Sequence, residues 1–336
     1  MPVAGRAERR SWADQRAQLA ASGKAGRMVE SPPPTAVFVH RSVDADGLSI
    51  HVAEFREARR ADPDRPGILF LHGWPENWTC FQSLMPRLSS AFNVAAIDLP
   101  GVGESCTVAP SGDKRTLARY VRAVLRELGW ENASLVGHDV GGQIVFAYLK
   151  AYPDELSSAM ILNVAVPGVD PWSEVERNPH IWHFGFHAVP ELPERLVAGR
   201  EAEYFSFFYD ALCAQSGAVP EFARQRYAEA YRRPESLRAG LEWYRAFSQD
   251  QRDNARHKQQ QVHTPVLYLR GSAENGIDLE RYLAGFRDHG LCQVSGDHIA
   301  GSGHFTPDEQ PELLAKRIES FVRQAALPAR SATHGA

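Results

Sequence analysis

A chain of 336 residues has room for one large domain or two small ones. Hydrophobic residues make up 43% of it and charged residues 23%, a balance that excludes disorder over most of its length. The net charge of −4, from 37 Lys and Arg against 41 Asp and Glu, offers no general attraction for nucleic acid.

Residues 1–35 hold six basic and three acidic residues and the run Pro32-Pro33-Pro34, a composition expected of a flexible arm. Val37-Phe38-Val39 and Leu48-Ser49-Ile50-His51-Val52 read as strands, with Asp46-Gly47 as the hairpin turn between them. Short apolar runs follow at Ile68 to Leu71, Val94 to Ile97, Ser134 to Val136, Ala159 to Leu162 and Val266 to Leu269. Runs of this kind suit strands covered on both faces of a parallel sheet. Thr116 to Leu128 is apolar at Leu117, Tyr120, Val121, Val124, Leu125 and Leu128, the period of a half-buried helix, and Gly129 closes it. Strands alternating with helices predict an α/β fold, a doubly wound and mostly parallel sheet.

From Asp170 to Ala255 the alternation stops, and helices and loops without strands are expected. This stretch carries 15 of the chain's 33 aromatic residues, between Trp172 and Phe247. A helical cap over an α/β core has this look, because an apolar pocket needs large walls. The same aromatics would also serve simply to join cap to core. A last strand is expected at Leu291 to Val294 and a terminal helix at Pro311 to Phe321. The expected organisation is an arm over 1–35, a core over 36–169 and 256–325, a cap over 170–255 and a tail over 326–336.

The longest charge-free run, Leu156 to Val169, contains serines, an asparagine and a proline and is shorter than the ~20 apolar residues that span a bilayer. The N-terminal residues show no apolar core of the signal-peptide kind. Cys80, Cys106, Cys213 and Cys292 are far apart and form no Cys-x-x-Cys pair, so neither a zinc site nor a disulfide framework is suggested. No phosphate-binding glycine pattern or metal cluster is evident. A cytoplasmic enzyme without cofactor, metal, membrane or nucleic-acid partner is expected, as a monomer or homodimer.

Three motifs carry chemistry. Gly137-His138-Asp139-Val140-Gly141-Gly142 lies between the strand Leu135-Val136 and the helix-like Gln143 to Tyr152, the setting of a nucleophile elbow. The nucleophile position holds Asp139 instead of serine. A carboxylate attacks an sp³ carbon and forms an alkyl-enzyme ester, which water then cleaves. Leu71-His72-Gly73-Trp74-Pro75 follows the strand at Ile68, and the N–H groups of Trp74 and Val140 are expected to form an oxyanion hole. Trp74 and Trp78 are candidate pocket walls, and His72 reads as a structural, hydrogen-bonding histidine. In Gly301-Ser302-Gly303-His304-Phe305, His304 is the expected general base, while His298 reads as a surface or loop residue.

These motifs resemble the α/β-hydrolase superfamily over about residues 37–325. Gly-His-Asp-x-Gly-Gly with His-Gly-Trp-Pro resembles its epoxide hydrolase and dehalogenase branch. Ile181-Trp182-His183-Phe184-Gly185-Phe186 and Leu241-Glu242-Trp243-Tyr244-Arg245-Ala246 are similar to cap segments of bacterial epoxide hydrolases that open the ring with a His/Tyr pair. By that resemblance His183 and Tyr244 hydrogen-bond the epoxide oxygen; Trp182, Phe184 and Trp243, in the same segments, are candidate substrate-binding residues. Fluoroacetate dehalogenases look similar in the same places, but typically carry arginines after the nucleophile and a Trp after the cap His. Here Val140 and Gln143 follow Asp139, and Phe184 follows His183.

The acid partner of His304 has two usual positions. The one after the nucleophile helix and its strand holds Asn163, which cannot balance an imidazolium. The other, at Gly271-Ser272-Ala273-Glu274, offers Glu274, with Asp278 as the alternative. The expected activity is hydrolysis of a small-molecule epoxide to a vicinal diol. The alternatives are a hydrolytic dehalogenase with the same machinery and a non-catalytic, ligand-binding member of the fold.

Overall fold

The computed structural model describes residues 37–56, 65–274 and 276–326. The expected N-terminal arm, and the tail beyond Ala326, lie outside the described residues. Among the described residues eight strands form one sheet, in the order β1-β2-β4-β3-β5-β6-β7-β8. The first two, β1 (Val37–Ala45) and β2 (Leu48–Arg56), make the expected hairpin. Asp46 and Gly47 both take positive φ, 50° and 85°, as a two-residue primed turn demands. Strand β2 also runs antiparallel to β4 (Asn93–Ile97), and every later pairing is parallel.

The central strands β3 (Gly67–Leu71), β5 (Ser134–His138), β6 (Ser158–Leu162) and β7 (Val266–Gly271) are buried along their whole length. That is why they read as unbroken apolar runs. Helix α1 (Lys114–Leu128) covers one face with its apolar stripe, and Gly129 ends it in the left-handed conformation, φ 68°. Helix α2 (Val140–Ala151) is buried from Val140 to Lys150, which erases its periodicity and hides its true start from the sequence.

The C-terminal elements differ from expectation. The last strand is β8 (Val294–Ile299), not Leu291 to Val294. It is an edge strand whose residues from Ser295 to His298 are largely exposed, so its apolar signal is weak, whereas buried Leu291 only bridges to Val262. His298 is exposed on this strand and is not in a loop. The terminal helix extends to Ala325.

Between β6 and β7 the chain is helical. It includes α3 (Trp182–Ala188), α4 (Glu201–Leu212), α5 (Glu221–Ala230), α6 (Pro234–Arg245) and α7 (Phe247–Arg256). A buried ion pair ties α7 to α1: Lys114 Nζ lies 2.8 Å from Asp250 Oδ2, and the Lys114 N–H donates to Asp250 Oδ1. The four cysteines are free thiols. Among the described residues no helix is long and apolar enough to cross a membrane, and no group of three or more His, Cys, Asp and Glu is placed to hold a metal ion.

Candidate active site

Parallel α/β sheets present their loops at the carboxyl ends of the strands, and the candidate residues collect there. Asp139 sits between β5 and α2 at φ 49°, ψ −122°, a conformation that side chains rarely adopt. The elbow needs close backbone crossing: a Cβ on Gly141 would stand 2.2 Å from the Leu71 carbonyl oxygen. Gly73 serves the same end, since its Cβ would meet the Asp139 side chain at 2.3 Å. With no side chain there, the next residue, Trp74, brings its N–H to 2.9 Å from Asp139 Oδ1. Val140 opens α2, where a first-turn N–H has no intrahelical acceptor.

The second carboxylate oxygen, Asp139 Oδ2, lies 3.8 Å from His304 Nε2. The other ring nitrogen, Nδ1, is 3.3 Å from Glu274 Oε1. With Glu274 as acceptor, Nδ1 carries the proton and the Nε2 lone pair points towards the Asp139 side. Burial opposes ionisation of Glu274, but the His304 hydrogen bond and the nearby Arg270 charge outweigh it and hold this carboxyl below its ordinary range. Asp278, the alternative acid, instead caps the helix Leu279–Asp288, its Oδ1 accepting the Glu280 N–H at 3.4 Å. Asn163 lies close by in the left-handed region, φ 53°, and donates from Nδ2 to the Gly303 carbonyl at 3.2 Å.

The helical segment meets this face through α3, α4 and α6. The His304 N–H donates to the Leu212 carbonyl at the end of α4, at 2.9 Å. Rings of His183 and Tyr244 are 5.9 Å apart, and both pack around Trp74, at 6.4 and 5.7 Å. Burial pushes His183 down to about 4, against the pull of the Asp139 charge, so its imidazole is neutral near pH 7. Burial and then the Asp139 charge push the Tyr244 phenol up. Both groups are therefore uncharged hydrogen-bond donors that feel the Asp139 carboxylate. Phe184 adjoins them, 5.6 Å from Tyr244.

Two expected pocket walls, Trp78 and Trp243, pack away from the His183 and Tyr244 rings. Trp78 packs on the β1–β2 hairpin, 5.2 Å from both Phe38 and His40, because its 3-10 turn faces that way. Trp243 is fully buried with its ring 6.2 Å from His72; on a helix it points about 100° away from Tyr244. Trp182 is 43% exposed, and its ring packs on Phe207 at 5.9 Å, Phe208 at 6.0 Å and His183 at 6.2 Å, at the edge of the aromatic cluster around Trp74. His72 is structural: it bonds the Gly73 carbonyl through Nδ1 and accepts the Leu99 N–H at Nε2, both at 2.9 Å.

One buried pair escaped the sequence reading. Glu76 Oε2 lies 2.7 Å from His138 Nδ1, both side chains being wholly inaccessible, and His138 Nε2 reaches the His304 carbonyl oxygen at 2.8 Å. Burial works against a charge on His138, but Glu76 overcomes it and raises this imidazole to about 9. The pair thus sits beneath the elbow, where Glu76 favours the protonated form of His138. The signal was an ionisable residue in the otherwise apolar strand β5, together with a Glu directly after His-Gly-Trp-Pro.

Comparison with known proteins agrees with this architecture. The chain matches the alpha/beta hydrolase fold family over residues 66–311. It is 28% identical over 261 residues to a soluble epoxide hydrolase of a Corynebacterium species, covering 76% of this chain and 89% of that protein. It is also 28% identical over 275 residues to a fluoroacetate dehalogenase of a Burkholderia species, covering 77% and 88%. Among solved structures it resembles Cfl2 of Burkholderia cenocepacia, with a TM-score of 0.76, 32% identity and coverage of 85% and 96%. The chain belongs to the α/β-hydrolase fold family, in the branch that contains the epoxide hydrolases and dehalogenases.

Proposed function

We propose that the protein is a cofactor-independent epoxide hydrolase that makes a vicinal diol. The observation that carries this reading is the placement of two neutral donors, His183 and Tyr244, around an aspartate nucleophile site. An epoxide oxygen stays attached as an alkoxide and needs donors aimed at it, whereas a halide leaves as a stable anion. In this reading residues 170–255 are the cap that brings the donors to the core.

Asp139 Oδ1 is held by the Trp74 N–H, so Oδ2 is the attacking atom. It displaces the epoxide C–O bond in an SN2 step, and the alkoxide takes a proton from Tyr244 as His183 donates a hydrogen bond. His304 Nε2 then removes a proton from water, which adds to the ester carbon of Asp139. The negative charge gathers on Oδ1, where the Trp74 N–H waits and the Val140 N–H can join it. Collapse of the tetrahedral centre expels the diol oxygen, which takes the proton from the His304 imidazolium, and the acid left on Asp139 passes its proton to the Tyr244 phenolate, so that carboxylate, imidazole and phenol are all restored. Glu274 balances the imidazolium that forms in between.

The dehalogenase reading shares all but the donors. Gln143 does not supply an anion site, for its Nε2 is committed to the Ala165 carbonyl at 2.9 Å. A panel of neutral epoxides and haloalkanoates, scored for diol and for halide, tests the choice. Diol formation is expected; halide release without diol overturns it.

A further inference from the structure

Arg270 lies near the end of β7, just before the loop that bears Glu274. Only 8% of it is exposed. Its Nε is 3.0 Å from Glu274 Oε2, its Nη1 donates to the Ile277 carbonyl at 2.7 Å, and its guanidinium lies 4.8 Å from the Tyr282 ring centre. One side chain therefore fastens the middle and the far end of the loop to the strand before it. The loop is also joined to the His304 loop, since the Ala273 N–H donates to the Ser302 carbonyl at 2.9 Å.

This arrangement divides the Glu274 carboxylate between two partners, Arg270 on Oε2 and His304 on Oε1. A half-buried carboxylate with His304 as its only partner has two ways to relieve the cost of its charge. It can take a proton, or it can hold His304 as imidazolium. Either removes the base. Arginine carries its charge at every relevant pH and offers a rigid fork, so it compensates Glu274 whether or not His304 is protonated. Among the described residues the other titratable groups around His304 are Asp139, with Oδ2 at 3.8 Å, the His138 ring at 5.1 Å with Glu76 behind it, the neutral His183, and Glu309, whose Oε1 accepts the Gly303 N–H at 2.9 Å.

We propose that Arg270 is a positioning residue for the water-activating step: it clasps the loop bearing Glu274 and supplies the fixed positive charge that leaves His304 free to accept a proton. The catalytic part rests on the epoxide hydrolase reading, but the charge coupling does not, and the test separates the two.

The coupling is read without substrate, from the ¹⁵N-histidine NMR titration of the His304 ring in the full chain, assigned by its loss in His304→Gln. In Arg270→Gln the curve should move to higher pH by on the order of one unit, a tenfold change in proton affinity. Arg270→Lys keeps the charge and should leave the curve in place. A curve in Arg270→Gln that overlies the wild type, or one in Arg270→Lys that moves as far as in Arg270→Gln, overturns the proposal. Single turnover with an epoxide then reads the catalytic part. At pH values below the midpoints of both titration curves Arg270→Gln should hydrolyse the alkyl-enzyme about tenfold more slowly, with ester formation within twofold of wild type. Equal loss in both steps would overturn it. A shifted titration with no ester formed by the wild type would instead count against the epoxide hydrolase reading alone.

Discussion

His304 Nε2 stands 3.8 Å from Asp139 Oδ2, beyond the 2.7–3.2 Å of a working hydrogen bond. A serine nucleophile needs its histidine in contact, because the hydroxyl must lose a proton. A carboxylate is already ionised and needs no such help. The gap suits a base whose partner is a water molecule approaching the ester carbon, which is the role the proposed mechanism gives His304.

From this follows a division of labour between the two residues. Asp139→Asn should abolish turnover, since a neutral amide is a poor nucleophile. His304→Gln should still be alkylated and should accumulate the ester, seen by intact-protein mass spectrometry as the substrate's mass added to the chain. In a single turnover in ¹⁸O water the first diol should be unlabelled, its new oxygen coming from Oδ2. Label in that first diol would point to direct attack by water.

Glu274, not Asp278, should be the acid. Glu274→Gln is expected to slow ester hydrolysis about a hundredfold or more and to leave ester formation nearly unchanged. Asp278→Asn keeps an N-cap side chain and should change neither rate; Asp278→Ala should cost about 1 kcal/mol of stability through the lost cap. Rapid-quench kinetics and urea midpoints on the three variants decide the assignment.

The donors should act on the first half of the reaction. In the proposed mechanism Tyr244→Phe removes the proton donor to the alkoxide, and the loss of one such donor costs ~3–4 kcal/mol, or roughly 10²–10³ in the rate of ester formation. His183→Ala on top should remove nearly all ring opening. A Tyr244→Phe enzyme that forms the ester at the wild-type rate would reduce Tyr244 to a wall of the pocket.

What was legible in the chain depended on how local the cause was. The tight turn of the elbow has a local steric cause, since a Cβ on Gly137 would stand 2.2 Å from the Gly141 carbonyl oxygen, so Gly137 to Gly142 declares it. The Gly271-x-x-Glu274 spacing likewise brings a carboxylate to His304 because both loops leave adjacent strand ends. Which way an aromatic faces is not local. Trp78 and Trp243 occupy turns and helices whose rotation is set by packing against the hairpin and His72, and the sequence carries no mark of that. Glu76 and His138 are 62 positions apart, and only the fold shows that they are partners.

That pair makes the last prediction, a dependence of stability on alkaline pH. His138 has an ordinary value of 6.5, and Glu76 raises it in the folded protein to about 9. A raised value means that the folded state holds the proton more tightly than the unfolded chain. The stabilisation is therefore complete below about 6.5 and is lost as the pH rises through about 9. The difference corresponds to on the order of 3 kcal/mol. Lys150 works in the opposite sense: burial brings its ammonium down to about 8, so its contribution improves with rising pH. It is common to both proteins in a comparison of wild type with Glu76→Gln and cancels. The stability gap between those two, from urea midpoints, should be widest at pH 6–7 and should narrow steadily to pH 10. A gap that stays constant over that range would mean that His138 is neutral in the folded protein and that Glu76 contributes by packing and hydrogen bonding alone.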